Sequence, residues 1–475
     1  MPRTFLQTNI FKKRFYLLLF VLTAIAFLLR AINITYASLW SDELYSMLSV
    51  HPENSWYEVL YMQRKDQPPV YFVLLSYWTK LFGYNDMSAR GLSVIIGTLS
   101  VLAIGFVNEK IFNAKVGLLS AFTAAFGFVQ IEHSLEARFY GLLFLLITIS
   151  IYTYWLTANS KYKFLVHIIH GGLCGGIILT HHFGAMVVMT YGLFDLVFLI
   201  KKRFQLSELK YKTVIWITVL LVLAPWFWFS YSSVKEVRTY WLKIIDIPAY
   251  LLYNIRYSTV FIMCILLLTV AGYILAKIKV KGMITLLIVQ ILLVVIVPVF
   301  FSYMLFPILV PRYSFAMGPA IFTLLSIGLV AFAERMPRNK IAVWLFILSL
   351  LSFDGLKASL FNKEPLRKEP WREMAEWLRQ QPDLQTTALY SVGYQLKKRF
   401  TLDYYLPEKK VVHMQVDTAG LSLVKRFYFV ETNGHDVLKK TEKDYLKSKY
   451  EYKEVFFGYP VGGQGGTITI FTVKN

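Results

Sequence analysis

The chain has 475 residues, of which 56% are hydrophobic and only 17% are charged. About one quarter of the residues in a typical soluble domain are charged, so this composition and the mean hydropathy of +0.50 favour a membrane protein. The formal net charge of +21 does not indicate a nucleic-acid-binding protein, because Lys and Arg occur in short clusters between apolar segments. Both cysteines, Cys174 and Cys264, fall inside apolar segments, so we expect no structural disulfide.

The apolar segments predict a polytopic protein with about eleven membrane helices. The first run, 15–34, follows a basic N-terminus. A cleaved signal peptide is the alternative, but Thr-Tyr-Ala at 35–37 is a poor small-x-small site, so we expect an uncleaved helix. Each further run is long enough, or nearly so, for a hydrocarbon core of ~30 Å. These runs lie at 90–107, 116–134, 141–158, 164–181, 183–200, 213–231, 256–276, 283–303, 314–333 and 341–359.

The loops between these runs predict the orientation of the chain. One set of loops is short and rich in Lys and Arg, and all of its members fall on the same side if every run spans. The positive-inside rule makes that side cytoplasmic. We therefore expect a multi-pass protein of the plasma (inner) membrane, with a cytoplasmic N-terminus and an extracytoplasmic C-terminal segment. The basic loops are 11–14, 108–115, 159–163, 201–212, 277–281 and 334–340.

The opposite face carries the longer connections: a first loop at 35–89, loops at 232–257 and 306–313, and the whole segment after 359. The first loop contains a second apolar stretch, Val70–Phe82. At this length it is too short to span comfortably, so it predicts a helix lying against the membrane surface.

The C-terminal segment, 360–475, is more charged and alternates between helical and strand periodicity. One helix face is marked by Trp371, Met374, Ala375 and Leu378. The Gly-rich stretch at 462–466 lacks the Lys-Ser/Thr of a phosphate loop and predicts a turn. The fold class is therefore an α-helical polytopic membrane domain over 1–359 with a small extracytoplasmic α/β domain over 360–475. Its predicted strands are 387–392, 426–430 and 467–473.

The first candidate for chemistry is the pair Asp42 and Glu43, just after the first helix. Two carboxylates at the point where a chain leaves the membrane can serve as a catalytic base and its partner. The alternative is structural, with Ser41 capping a surface helix and the two acids complementing the helix dipole.

Other candidates lie on the same predicted face. Asp66 precedes Pro68-Pro69, which could simply stiffen the entry to the surface helix. The segment 132–140 contains two acids, a His and an Arg at the membrane boundary, where ionisable groups are costly and suggest function. An interfacial ion pair and an aromatic belt are the plain alternative. The site residues predicted in this segment are Glu136, Arg138 and Tyr140.

Two further motifs complete the set. His181-His182 could contact a phosphate, a hydroxyl or a metal, although a His pair alone is weak evidence for zinc. Arg312-Tyr313 places an Arg in an outer loop, where its planar guanidinium could bind phosphate through two N–H groups; a snorkelling Arg is the alternative. The topology was assigned from Lys and Arg alone, yet it places all of these motifs on one face.

The order of these motifs resembles a known family. Ser-Asp-Glu at 41–43, Gln-Pro-Pro-x-Tyr at 67–71, Leu-Phe-Gly at 81–83, Ala-Arg at 89–90, Glu-Ala-Arg-Phe-Tyr at 136–140 and Pro-Arg-Tyr at 311–313 carry the resemblance. It is to the bacterial protein mannosyltransferase and ArnT-like group, family 39 of the GT-C glycosyltransferases, and it covers about 35–335.

The resemblance implies an inverting transfer of a sugar from a polyprenyl phosphate to an acceptor hydroxyl, outside the membrane. It implies Asp42 as the general base, with Glu43, Asp66, Glu136, Arg138 and Arg312 lining the site. The arginines would stabilise the leaving phosphate. The expected partners are the lipid-linked donor, a lipid, glycan or protein acceptor, and membrane lipids, with no nucleic acid.

Three alternatives stay open at this stage. A lipid-linked oligosaccharide ligase or polymerase would share the topology and the donor. A secondary transporter would gather its polar groups near the membrane midplane rather than at one face. A non-catalytic membrane anchor would not explain the recurring acids and arginines. No obligatory cofactor is predicted; a divalent metal ion is left open, with Asp66 and His182 as weak candidate ligands.

Overall fold

A computed structural model of the protein describes most of the chain. The residues described are 2–63, 67–231, 247–255, 259–277, 282–305, 307–336, 338–361, 363, 368–391, 395–396, 399–413, 425–432, 440–458 and 465–474. Within them, the first 361 residues are helical apart from their connections. The last hundred residues or so contain a sheet and two helices. The predicted fold class, a polytopic helical membrane protein with a small C-terminal sheet domain, is confirmed.

The helices of the membrane part are numbered in chain order. The first eight are α1 (Pro2–Ala31), α2 (Ser41–Ser49), α3 (Trp56–Gln63), α4 (Val70–Phe82), α5 (Asp86–Ile111), α6 (Ala114–Phe126), α7 (Phe128–Ser134) and α8 (Tyr140–Asn159). The next eight are α9 (Lys163–Ile178), α10 (Gly184–Lys201), α11 (Leu206–Ser230), α12 (Ile247–Leu252), α13 (Thr259–Leu275), α14 (Gly282–Met304), α15 (Gly318–Glu334) and α16 (Lys340–Leu356). A 3₁₀ segment, Pro311–Met317, leads directly into α15.

Every predicted span coincides with a helix. In the described part of the chain, 8 helices are long and apolar enough to cross a membrane, and the bent pair α6–α7 makes 9. The two remaining predicted spans are shorter apolar helices, α9 and residues Ile262–Leu275 of α13. The predicted surface helix has the bounds expected from its apolar run, Val70–Phe82.

One predicted span is broken rather than straight. The run 116–134 forms α6 and α7, which meet at Gly127 at an angle of 59°. The break frees the last carbonyl groups of α6, and such groups need a donor inside an apolar environment. Arg30, which is fully buried, donates to the carbonyl oxygens of Ala124 (2.9 Å) and Ala125 (3.1 Å) and to Ser134 Oγ (3.0 Å). The Arg30 guanidinium therefore stabilises the bend.

The C-terminal part is a mixed sheet with a helix packed on it. Helix α17 (Trp371–Arg379) buries the four residues predicted for its apolar face, and α18 (Lys440–Lys449) follows later. The strands of the main sheet run in the order β4-β1-β5-β7-β6, with β1 parallel to β4 and β5, and β7 antiparallel to β5 and β6. The strands are β1 (Ala388–Ser391), β2 (Gln395–Leu396), β3 (Arg399–Phe400), β4 (Val411–His413), β5 (Arg426–Thr432), β6 (Tyr450–Phe457) and β7 (Gly466–Val473).

The sheet domain and the membrane helices share one buried apolar cluster. It contains Leu44 of α2, Phe72 of α4, Trp371 of α17 and Ile468 of β7. The C-terminal domain therefore packs against the first outer loop. Some predicted features lie outside the described residues: Asp66, most of the loop 232–257, and residues 462–464 of the predicted turn.

Candidate active site

A buried ion pair between Glu43 and Arg90 lies beneath the site. Arg90 Nε and one terminal nitrogen donate to the two Glu43 carboxylate oxygens at 2.8 and 2.6 Å, and neither side chain is more than 5% exposed. Glu43 also accepts the backbone N–H groups of Ala137 (2.8 Å) and Trp40 (3.3 Å). This carboxylate thus ties the start of α2 to α5 and to the turn before α8, and its oxygens are occupied by structural contacts.

Asp42 directly precedes Glu43 in the chain, but its carboxylate faces two other arginines. Its Oδ2 lies 3.3 Å from a terminal nitrogen of Arg312 and 4.0 Å from one of Arg138, and its side chain keeps 17% of its surface exposed. Three residues far apart in the sequence therefore meet at one point. Arg138 comes from the turn between α7 and α8, Asp42 from the start of α2, and Arg312 from the 3₁₀ segment before α15.

Each arginine is held in place by contacts that leave part of its guanidinium unused. Arg138 donates to the backbone oxygen of Asp42 (3.2 Å) and to Ser46 Oγ (3.3 Å), and its guanidinium carbon lies 4.7 Å from the ring centre of Phe139. Arg312 lies 5.3 Å from the ring centre of Trp40. Stacking of this kind fixes the guanidinium plane while its edge stays available to a ligand.

Several buried donors around Asp42 have no hydrogen-bond partner among the described residues. They are Nε of Arg138, Nε of Arg312, the indole N–H of Trp40 and the hydroxyl of Tyr140. A buried donor without an acceptor is costly, and such groups in a native structure often mark a ligand site. Two of the four groups are cationic and all four can donate, so the arrangement is suited to an anion with several oxygens.

Glu136 anchors a second charge cluster beside this one. Its carboxylate contacts His133 Nδ1 at 3.1 Å and accepts a hydrogen bond from Lys368 Nζ. Burial raises the pKa of Glu136, but the opposing effects of Lys368 and His133 are larger together and hold it below its ordinary value. Glu136 is therefore ionised at neutral pH, and its oxygens are engaged by protein groups.

The C-terminal segment contributes residues that the sequence did not predict. Lys368 Nζ lies 4.3 Å from the ring centre of Trp40 as well as against Glu136. The Glu369 carboxylate accepts from the backbone N–H of Ser41 (2.8 Å), from the Ser41 hydroxyl and from the Trp371 indole (2.6 Å). Trp40, not Ser41, is the N-cap residue of α2. The expectation that Ser41 caps this helix is wrong, because the Ser41 hydroxyl is turned to Glu369.

An aromatic wall closes one side of the site. The His181 ring lies 4.7 Å from Phe139, 4.8 Å from Tyr313 and 6.2 Å from Tyr140, measured between ring centres. His181 Nδ1 accepts the backbone N–H of Phe183 (3.1 Å), which leaves Nε2 to carry the proton of the neutral ring. His182 is exposed, with its ring centre 6.5 Å from that of His181.

The predicted residues are thus brought together to different degrees. Asp42, Arg138, Arg312, Tyr140, His181 and Tyr313 surround one point, Glu43 and Glu136 lie beside it in ion pairs, and Asp66 is outside the described residues. Among the residues that the structure describes, no group of three or more His, Cys, Asp and Glu side chains could hold a metal ion.

Comparison with protein families and solved structures bears on this arrangement. Residues 66–229 match the model of the dolichyl-phosphate-mannose-protein mannosyltransferase family. No curated protein sequence matches the chain.

The fold matches solved membrane enzymes along nearly its whole length. ArnT from Cupriavidus metallidurans in the apo state aligns with a TM-score of 0.62 at 12% identity, covering 95% of this chain and 97% of that one. The same protein bound to undecaprenyl phosphate gives 0.60 at 13% identity, with 96% and 97% covered. The oligosaccharyltransferase of Archaeoglobus fulgidus, in complex with Zn and sulfate, gives 0.53 at 12% identity, with 94% and 72% covered.

These matches confirm the resemblance to the GT-C glycosyltransferases and establish the fold. The family match and the apolar helices together support a multi-pass membrane glycosyltransferase of the GT-C type.

Proposed function

From the GT-C fold and the geometry around Asp42, we propose that this protein transfers a sugar from a polyprenyl phosphate to an acceptor hydroxyl with inversion. Transfer takes place at the extracytoplasmic face, with Asp42 as the general base. The observation that carries the proposal is the position of the partly exposed Asp42 carboxylate. It lies 3.3 and 4.0 Å from two arginines, and the four buried donors without a partner among the described residues are close to it.

The reaction follows from what each group can do. The acceptor oxygen attacks the anomeric carbon while Asp42 takes its proton, and the bond between that carbon and the phosphate oxygen breaks. The electron pair of that bond leaves with the polyprenyl phosphate. Phosphate is a good leaving group, so no general acid is required, and the arginines stabilise the charge that develops on it.

The two arginines connect phosphate binding to the release of the base. In the structure, Arg138 and Arg312 have the Asp42 carboxylate as their anionic partner. A donor phosphate would offer the same N–H groups further oxygens, and the unpaired Nε atoms would gain acceptors. Competition of this kind would loosen Asp42 and leave its oxygens available to the acceptor hydroxyl.

The neighbouring predicted residues take supporting roles in this proposal. Glu43 positions the base rather than sharing its chemistry, because its oxygens are held by Arg90 and two backbone N–H groups. Tyr140 donates to the donor phosphate or sugar through its unpaired hydroxyl. His181 and Tyr313 form the wall against which the sugar packs.

The proposed acceptors are a lipid, a glycan or a protein, all of which present hydroxyl groups at the membrane surface. The proposed phosphate site relies on arginine for its positive charge. The open alternative of a divalent metal ion, with Asp66 or His182 as ligands, is tested directly by assaying transfer before and after EDTA.

The decisive experiment is Asp42→Asn in the purified full chain, assayed for transfer from a polyprenyl-phosphate sugar. Asn keeps the shape of Asp but does not accept a proton at neutral pH, so turnover should fall by ~10²–10⁴-fold. Binding of the polyprenyl phosphate should not weaken, because the variant loses only the carboxylate that competes for Arg138 and Arg312. Glu53→Gln, the same kind of change on an exposed acid of the same loop, is the matched control. Activity of Asp42→Asn within a few-fold of the wild type would end the base assignment.

A further inference from the structure

A large cavity lies at the other end of the helix bundle from Asp42. It has a volume of about 1230 Å³ and is lined by the ends of α8 to α11 and by parts of α5, α14 and α15. Helix α5 connects the two regions: Arg90 binds Glu43 near its start, and Ile111 at its end lines the cavity. At 1.5 Å per residue, the two positions are about 32 Å apart.

The cavity is rich in positive charge. Its lining contains Lys163, Lys202, Lys212 and Lys277 but only one acid, Glu208. Lys212 is already paired, because its Nζ lies 2.6 Å from Oδ1 of the buried Asp195. The other three lysines are largely exposed and outnumber Glu208, so the cavity carries a positive excess that Asp195 does not cancel.

Most of the remaining lining is aromatic or aliphatic, with Asn113, Thr157, Asn159 and His167 as polar members. Phe112 directly after α5, Trp155 of α8, and Phe194 and Phe198 of α10 meet in the same cavity. Cations at the mouth and apolar walls between the helices match the two parts of a lipid, a charged headgroup and hydrocarbon chains. Basic pockets between membrane helices on the side of the Lys-rich loops are suited to anionic headgroups.

We propose that this cavity binds an anionic glycerophospholipid. The headgroup phosphate is held by Lys163, Lys202 and Lys277, and an acyl chain lies along the aromatic wall. The positive-inside rule alone accounts for lysines on this side of the membrane. It does not account for a cavity of this volume between the helix ends, which would otherwise forfeit the packing that membrane helices depend on.

The test is native mass spectrometry of the delipidated full chain in detergent, with phosphatidylglycerol and phosphatidylcholine in competition. Phosphatidylglycerol should bind about ten-fold more tightly. The double variant Lys163→Gln/Lys202→Gln should abolish that preference. The matched control is Lys161→Gln/Lys201→Gln, which removes the same charge from the same two loops at exposed lysines that do not line the cavity.

The proposal predicts two further results. Ala331→Trp, which fills the apolar part of the cavity and leaves its charges intact, should weaken phosphatidylglycerol binding by about ten-fold. Sodium phosphate should not displace the lipid. Equal binding of both lipids, equal loss of preference in both double variants, or full displacement by sodium phosphate would each overturn the proposal.

Discussion

The two arginines beside Asp42 use their planar shape as well as their charge. Arg312 lies over the Trp40 ring with one nitrogen 3.3 Å from Asp42, and Arg138 lies over Phe139 while donating to α2. A lysine ammonium could replace the charge but not the stacked plane together with several donors in fixed directions.

Arg312→Lys and Arg138→Lys should therefore weaken binding of a polyprenyl phosphate. The loss of a charge-assisted hydrogen bond corresponds to about 1.5–3 kcal/mol, or roughly 10- to 100-fold in affinity. The Kd is measured by titrating the purified variants with the polyprenyl phosphate. Arg372→Lys is the matched control, because Arg372 pairs with Asp86 and is not one of the unpaired donors around Asp42. Unchanged affinity in both site variants would reassign these arginines to membrane anchoring.

Glu43 and Asp42 should differ in their contribution to the free energy of unfolding. Its buried pair with Arg90 is of the kind that is costly to break, since removal of one partner leaves the other charge buried. We expect Glu43→Gln to lower the free energy of unfolding by about 3–5 kcal/mol. Asp42→Asn should change it by about 1 kcal/mol or less. Thermal unfolding of the detergent-solubilised variants provides the comparison. Full stability of an inactive Glu43→Gln would instead place Glu43 in the chemistry.

At the scale of elements, the break between α6 and α7 is what brings the site together, because it turns the chain toward α8 and Arg138. Arg30 supplies the donors for the freed carbonyls. Helix α16 then packs closely on the same break, and a glycine permits this approach. A Cβ atom built on Gly355 would lie 1.7 Å from the backbone oxygen of Phe126.

Gly355→Ala should therefore separate α16 from the break and destabilise the protein, since backbone atoms cannot yield as a flexible side chain can. Overpacking of this kind costs about 1–3 kcal/mol. Gly176→Ala is the matched control, because Gly176 also lies in a membrane helix but has open space around its Cβ position. Thermal unfolding should show a lower Tm for Gly355→Ala and no decrease for Gly176→Ala. Equal Tm values would mean that the close approach is not required.

For the whole molecule, the sequence predicted features with local signals and missed contacts between distant segments. The spans and the buried face of α17 were predictable because apolar length and periodicity are local properties. The break at Gly127 was not, because the surrounding residues 121–129 carry no charge and glycine is common inside membrane helices. The contact between Glu369 and Ser41 spans 328 positions and leaves no pattern in either segment.

The orientation of the chain is a second property of the whole molecule, and it remains a prediction. Lys and Arg in the loops predict a cytoplasmic N-terminus and an extracytoplasmic C-terminus. Reporter fusions after Arg14, Lys210 and Asn475 should therefore read inside, inside and outside. A cytoplasmic signal at Asn475 would imply an even number of spans and would remove the proposed outer-face site.

The C-terminal domain and the start of α2, which carries Asp42, are joined by direct hydrogen bonds, which predicts that the domain contributes to turnover. The Glu369 carboxylate accepts the backbone N–H of Ser41 at the start of α2, one residue before Asp42, and the Ser38 hydroxyl donates to the Glu369 backbone oxygen. An anionic acceptor stabilises a helix N-terminus, so we expect Glu369 to act as a positioning residue for Asp42, the proposed base.

Glu369→Gln should therefore lower kcat by about ten-fold or more while the Kd for a polyprenyl phosphate stays nearly unchanged, because the Glu369 carboxylate contacts Ser41 and Trp371 and the proposed phosphate ligands are Arg138 and Arg312. Gln keeps the shape of the side chain but loses its charge and one acceptor oxygen. Glu376→Gln, at an exposed position of α17, is the matched control. A purely structural role would lower Tm and reduce the active fraction without changing kcat per folded molecule. Wild-type kcat in folded Glu369→Gln would therefore show that the C-terminal domain supports the start of α2 without setting the position of Asp42.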